Sequence, residues 1–147
     1  MMKRIPLILA VASLLASCSA ESATNAQIES SAVPLSQTAE AAKVQTIGSQ
    51  AAKALLDQKK DVVVLDIRTP GEFNAGHLAN AQHLDFYQAD FAQKLKALDP
   101  ETPYLVYCAV GGRSREAVRM MQQLGFQQVY DATEGYAALK NAGVSVE

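Results

Sequence analysis

From about residue 44 onward, short apolar runs alternate with stretches whose apolar residues recur every three or four positions. Val62-Val63-Val64-Leu65 and Tyr104-Leu105-Val106-Tyr107 are unbroken apolar runs, the pattern of strands covered on both faces rather than strands with one wet side. The first of these is expected to be central. Residues 129–132 form a shorter run, and residues 44–47 and 81–84 are weaker strand candidates. Helical periodicity falls between them: Ala52, Leu55 and Leu56 within 49–58; Phe91, Leu95 and Leu98 within 86–98; Val118, Met121 and Leu124 within 114–124. Gly125 stands where a helix C-terminus needs a left-handed residue, and residues 135–141, followed by Gly143, predict a last helix. Strands alternating with helices of this length imply an α/β fold built on a parallel sheet.

The first 43 residues have a different character. Lys3 and Arg4 precede an apolar run over residues 5–16, broken only by Pro6 and Ser13, which is the form of an export signal. The run is too short to cross a bilayer, since a spanning helix needs about 20 apolar residues. Leu15-Ala16-Ser17-Cys18 then resembles the bacterial lipobox, in which the cysteine is acylated and becomes the first residue of the mature protein. The expectation is therefore a lipoprotein signal peptide over 1–17 and an anchor in the lipid bilayer through acylated Cys18. Residues 18–43, rich in Ser, Ala, Thr, Gln and Glu, are read as a tether, with the folded domain spanning 44–147. As a coil, that tether would hold the domain roughly 25 to 30 Å from the anchor. The expected location is the bacterial cell envelope, facing the periplasm, and Ser19 after the cysteine leans toward the outer membrane.

Composition supports one globular core: 147 residues, 49% hydrophobic and 19% charged, with a formal net charge of -2. Removal of Lys3 and Arg4 makes the remainder more acidic, which argues against nucleic acid as the main partner. The chain has two cysteines, so acylation of Cys18 leaves Cys108 as the one thiol and allows no internal disulfide. A lone thiol in an oxidising compartment points to reactivity rather than structure.

Cys108-Ala109-Val110-Gly111-Gly112-Arg113-Ser114 lies where an apolar strand passes into an amphipathic helix. Ligands in open α/β sheets bind at such carboxyl ends of strands. The adjacent glycines permit a tight curl that aims successive backbone N–H groups at one point, and a helix N-terminus and Arg113 add positive charge. Such surroundings lower a cysteine pKa from about 8.5 toward roughly 3.5 to 7.5, and the thiolate is the nucleophile.

This loop resembles the active-site loop of the rhodanese family, written C-x-x-G-x-R-S, at Cys108, Gly111, Arg113 and Ser114. Asp66-Ile67-Arg68-Thr69-Pro70-Gly71-Glu72-Phe73, followed by Gly76-His77-Leu78 and Ala81, is similar to a second family signature. Glu134-Gly135 through Leu139 resembles a third, departing from it at Tyr136, where glycine is usual, and at Leu139, where tryptophan is common. The resemblance implies a rhodanese-like parallel sheet of about five strands with helices on both faces. It implies a thiosulfate sulfurtransferase that stores sulfane sulfur as a Cys108 persulfide within a cradle of residues 109–113. The partners would be a small-molecule sulfur donor and a thiol or cyanide acceptor, with no cofactor and no metal, in a monomer. The related phosphatases and arsenate reductases place five residues between cysteine and arginine; here there are four, a smaller cradle suited to a terminal sulfur. Two other readings remain open: a non-catalytic binding or redox-sensing module, and a small phosphatase or arsenate reductase.

Asp66, Arg68 and Glu72 are read as structural support, with Arg68 and Glu72 paired across a short turn. His77 is expected to be a hydrogen-bonded turn residue, and His83 has no ligand cluster around it. Tyr104, Tyr107, Phe126 and Tyr130 are assigned to core packing, and Phe86 and Tyr87 to a connection that could rim the active site. The lipobox reading predicts metabolic incorporation of palmitate into the wild-type chain and its loss in Cys18→Ala; an unlabelled wild-type protein contradicts it.

Overall fold

The computed structural model describes residues 43–147; the proposed signal peptide, Cys18 and nearly all of the tether lie outside the described residues. Five strands, β1 (Lys43–Ile47), β2 (Val63–Asp66), β3 (Gln82–His83), β4 (Tyr104–Tyr107) and β5 (Gln128–Ala132), form one sheet in the order β1-β5-β4-β2-β3. Every pairing in it is parallel. The run at 62–65 therefore lies inside the sheet, between β4 and β3, but the middle position belongs to β4.

Helices cover both faces, and strand parity explains how. Leu65, Tyr104, Val106, Cys108 and Val129 pack on one side with Phe91, Leu95, Val118 and Met121. Their neighbours Val64, Leu105, Tyr107, Tyr130 and Ala132 pack on the other with Ala52 and Leu139. Successive side chains of a strand point to opposite faces, so a strand buried on both sides must be apolar at every position. The covering helices are α3 (Phe91–Lys96) and α4 (Gly112–Gln123) on the first face, and α1 (Ser49–Gln58) and α5 (Gly135–Asn141) on the second.

Two elements differ from the sequence expectation. A short helix, α2 (Pro70–Asn74), follows β2. Thr69 caps it, Pro70 occupies its first turn, and Glu72 returns a bond to the Thr69 amide, a reciprocal capping box. The helix expected from residue 86 begins only at Phe91. Asp85 is the reason: its carboxylate accepts the Tyr87 amide at 3.0 Å and its carbonyl accepts the Gln88 amide, so the chain turns before it can wind. Gly125 does terminate α4, with φ +84. The Phe126 amide reaches the Met121 carbonyl and the Gly125 amide that of Gln122, a Schellman arrangement.

The strand ends that carry the loops are tied by a buried polar network. Asp66, fully buried at the end of β2, accepts the amide, Nε and Nη2 of Arg68 and, at 2.5 Å, the Tyr107 hydroxyl. Tyr107 in turn accepts the Leu78 amide, and Arg68 Nη2 also donates to the Gly76 carbonyl. Tyr107 is thus more than core filling, because its hydroxyl joins β4, β2 and the segment after α2. Tyr136 lays its ring over Arg68, 4.1 Å from the guanidinium carbon, which gives the departure from glycine a packing role. Leu139 is fully buried. His77 Nδ1 lies 3.1 Å from the Phe73 carbonyl and His83 Nε2 2.8 Å from that of Arg68, with the Phe73 ring stacked against both imidazoles.

Candidate active site

The loop from β4 to α4 is clamped to the turn from β5 to α5. Gly111 has φ +83, and a Cβ there would fall 2.0 Å from the Thr133 carbonyl oxygen; Gly135 has φ +80, and its Cβ would fall 1.9 Å from that of Ala109. The Tyr136 amide donates to the Cys108 carbonyl at 2.9 Å. Both glycines are required twice over, by conformation and by space. Gly112 is different: its φ is ordinary for a side-chain-bearing residue and nothing lies near a Cβ built on it. Only the first glycine of the pair makes the curl.

That curl converges on sulfur. The Gly111 amide lies 3.1 Å from Cys108 Sγ and donates to it. Burial pushes the Cys108 thiol up, but the amides of Ser114, Val110, Gly111 and Arg113 act on the sulfur together and bring its pKa below the ordinary value. These four amides fall within the 109–114 stretch marked in the sequence, and the Ala109 carbonyl packs closely against Gly135. The Cys108 residue is 1% exposed, yet it lines an open cleft of about 570 Å³ with Thr69, Glu72, Tyr87, Val110, Gly112 and Arg113. A second cleft, about 440 Å³, lies beside Lys53, Lys59 and Lys60 and contains no cysteine.

Arg113 corrects the expected pairing of Glu72 with Arg68. Glu72 receives two bonds from Arg113, Nη1 to Oε2 at 2.9 Å and Nη2 to Oε1 at 2.7 Å, while Arg68 belongs to Asp66. The Arg113 guanidinium holds the Glu72 carboxyl at a pKa of about 2, against the opposing effect of burial. Glu72 in return raises the pKa of Arg113, as does the nearby Cys108 charge. Glu72 thus has two roles, capping α2 through Thr69 and fixing the arginine of the cysteine loop. Thr69 and Tyr87 complete the wall. Of the connection expected to rim the site, Tyr87 lines the cleft while Phe86 packs against the core; Thr69 was not assigned to the site, and the T-P-G-E spacing was its available signal.

Ser114 supports the loop from beneath. Fully buried, its hydroxyl lies 2.7 Å from Asp131 Oδ1 and 3.2 Å from the Gly111 carbonyl. It has one proton and so donates to one of them at a time. Burial raises the Asp131 pKa, against the effect of Ser114 and Arg115. Together these groups form a nucleophile in an anion-stabilising turn, at the carboxyl end of a parallel sheet, beside a fixed cation.

The rhodanese-like domain model matches residues 49–142, and the chain belongs to the rhodanese-like family. Thiosulfate sulfurtransferase GlpE of Vibrio cholerae is 33% identical over 101 residues, which cover 69% of this chain and 92% of that protein. Its namesake from Pseudomonas putida is 39% identical over 82 residues, 55% of this chain and 72% of that one. At the level of the family, the chain groups with sulfurtransferases. Among solved structures, a rhodanese-related protein from Thermoplasma volcanium is 30% identical with a TM-score of 0.61, covering 70% of this chain and 97% of the other. A rhodanese-like domain from Anabaena sp., 24% identical with a TM-score of 0.62 over 69% of this chain and 77% of its own, shares the fold.

The two neighbouring glycines provide a contrast within one turn. Gly111→Ala is expected to destabilise the domain in urea denaturation and slow thiol labelling of Cys108. Gly112→Ala should leave both near wild type or slightly raise stability, by up to about 1 kcal/mol. Equal effects of the two substitutions contradict the clamp.

Proposed function

We propose that this protein is a sulfurtransferase that takes sulfane sulfur from a donor such as thiosulfate onto Cys108 and passes it to a thiol or to cyanide. One observation carries the reading: the Gly111 amide donates to the sulfur of a cysteine that lines an open cleft, in a turn whose amides bring its pKa down against burial. The names of the curated relatives agree with it.

In the first step the Cys108 thiolate attacks the outer sulfur of thiosulfate. A new S–S bond forms, the donor's S–S bond breaks, and sulfite leaves with the electron pair. The persulfide anion left on Cys108 occupies the amide cradle, where N–H dipoles fixed before the reaction stabilise its charge. An acceptor thiolate or cyanide then attacks the outer sulfur and Cys108 departs as thiolate, so that two half-reactions share a covalent intermediate and the kinetics are ping-pong. Ser114 holds the Gly111 peptide from below, and Glu72 and Arg113 fix the wall beside it. Among the described residues Cys108 is the one cysteine, so the folded domain offers no second thiol to resolve a disulfide.

The proposal includes the setting. The lipobox-like segment ending at Cys18 supports a lipid-anchored protein facing the periplasm, where the domain would meet small sulfur compounds.

Intact-mass analysis after thiosulfate exposure is expected to show the addition of one sulfur atom to the wild-type chain and none to Cys108→Ser, with sulfite release following the same pattern. Undiminished turnover by Cys108→Ser contradicts the proposal, and so does a wild-type chain that never gains sulfur. Protection of Cys108 from alkylation by phosphate or vanadate, but not by thiosulfate, would favour phosphatase chemistry instead.

A further inference from the structure

The cleft over Cys108 is poorly matched to a dianion. Arg113 is the one cation among the residues lining it, and both of its terminal nitrogens donate to Glu72. Glu72 stays ionised down to a pH of about 2, so the pair adds no net charge across the working range. With Cys108 as thiolate, the wall facing an incoming donor carries net negative charge. A donor with two negative charges is met by amide dipoles and by a guanidinium whose charge is already balanced by Glu72.

The mouth of the cleft is apolar. Val110 is 82% exposed and Tyr87 is 69% exposed, the two most exposed large hydrophobic residues of the described chain, and both line this cleft. Tyr87 is held in place: its amide donates to Asp85 Oδ1 at 3.0 Å, its ring meets Phe86 edge-on at 5.6 Å, and the Arg113 guanidinium lies 5.6 Å from its centroid. Phe86 in turn packs against the buried core. An ordered aromatic face therefore stands open to solvent beside the nucleophile, ready to lie against an apolar group carried by whatever reacts there.

We infer that Tyr87 and Val110 are specificity-determining residues that select organic sulfane-sulfur donors, compounds with a single negative charge and an aryl or alkyl group beside the transferable sulfur. The inference rests on the Cys108 persulfide reading and deepens it by naming the donor class. An aryl thiosulfonate represents that class. Cys108 thiolate attacks its outer sulfur, the S–S bond to the sulfonyl sulfur breaks, and the aryl sulfinate leaves with the electron pair. One negative charge enters on each reactant and leaves on each product, and no further oxidant or reductant takes part. The aryl ring remains at the mouth, against Tyr87 and Val110, while sulfur moves to the cradle.

The test compares three donors, benzenethiosulfonate, methanethiosulfonate and thiosulfate, by kcat/KM and by sulfur loaded on Cys108. Wild type is expected to prefer the phenyl over the methyl thiosulfonate by about tenfold, two donors with the same reacting group. Tyr87→Ala should lose most of that preference through KM, and Tyr87→Phe should retain it. Because Tyr87 is largely exposed, these variants are expected to fold. Glu72→Gln, which keeps a side chain able to cap α2, should lower KM for dianionic thiosulfate several-fold more than for methanethiosulfonate. Equal phenyl and methyl rates in wild type, or a preference unmoved by Tyr87→Ala, overturns the inference while leaving sulfur transfer intact. Failure of every donor to load Cys108 removes the persulfide reading and the inference with it.

Discussion

A sulfur anion buried beneath a protein surface is tolerable only where something replaces the water it has lost. In this domain the replacement is the backbone. Burial alone would hold the Cys108 thiol protonated, and the amides of Ser114, Val110, Gly111 and Arg113 reverse that preference. The rest of the structure can be understood as the means of keeping those amides aimed. The positive φ at Gly111 turns the chain, and the close approaches of Gly111 to Thr133 and of Gly135 to Ala109 prevent it from unwinding. A preset cradle matters chemically because its dipoles need no reorganisation when charge arrives on sulfur.

Rigidity at that point depends on a scaffold with no slack beneath it. β4 is flanked by partners on both sides and covered on both faces, so Cys108 leaves the sheet from its most constrained strand. Behind it, Tyr107 ties β4 to Asp66 and to the Leu78 amide. Beneath the loop, Ser114 links the Gly111 peptide to Asp131 of β5. Every one of these bonds is buried or nearly so, and leaving any one partner unpaired would cost about 1 to 3 kcal/mol. The site's order is a consequence of the fold's polar satisfaction as much as of its hydrophobic core.

Much of this was legible in the chain itself. Unbroken apolar runs at residues 62–65 and 104–107 report strands buried on two faces, and three-to-four spacing reports the helices that bury them, so the α/β class follows from periodicity alone. The Cys108 loop was legible because its chemistry is local: thiol, glycine, cation and helix start lie within seven residues. What escaped was non-local. Glu72 and Arg113 are 41 residues apart, and nothing in the spacing indicates that Glu72 turns away from Arg68 toward the cysteine loop. The two adjacent glycines look equivalent in sequence, yet only Gly111 meets another backbone. α2 is short enough for its capping residues to be read as a turn, and Asp85 delayed α3 through a side-chain bond that hydrophobic periodicity cannot register. The connection through Phe86 and Tyr87 was legible as a rim, but which of the two faces the cleft depends on packing, and it is Tyr87.

The central claim concerns a protonation equilibrium, and the most direct measurement is a pH titration of the Cys108 thiol, followed by thiolate absorbance or by the ¹³Cβ chemical shift in the otherwise thiol-free domain. The account predicts a midpoint below the ordinary cysteine value of about 8.5, with the midpoint moving upward in Gly111→Ala, where the cradle is distorted. A wild-type midpoint at or above that value would mean that burial prevails over the amides, and the proposed means of activating Cys108 would be wrong.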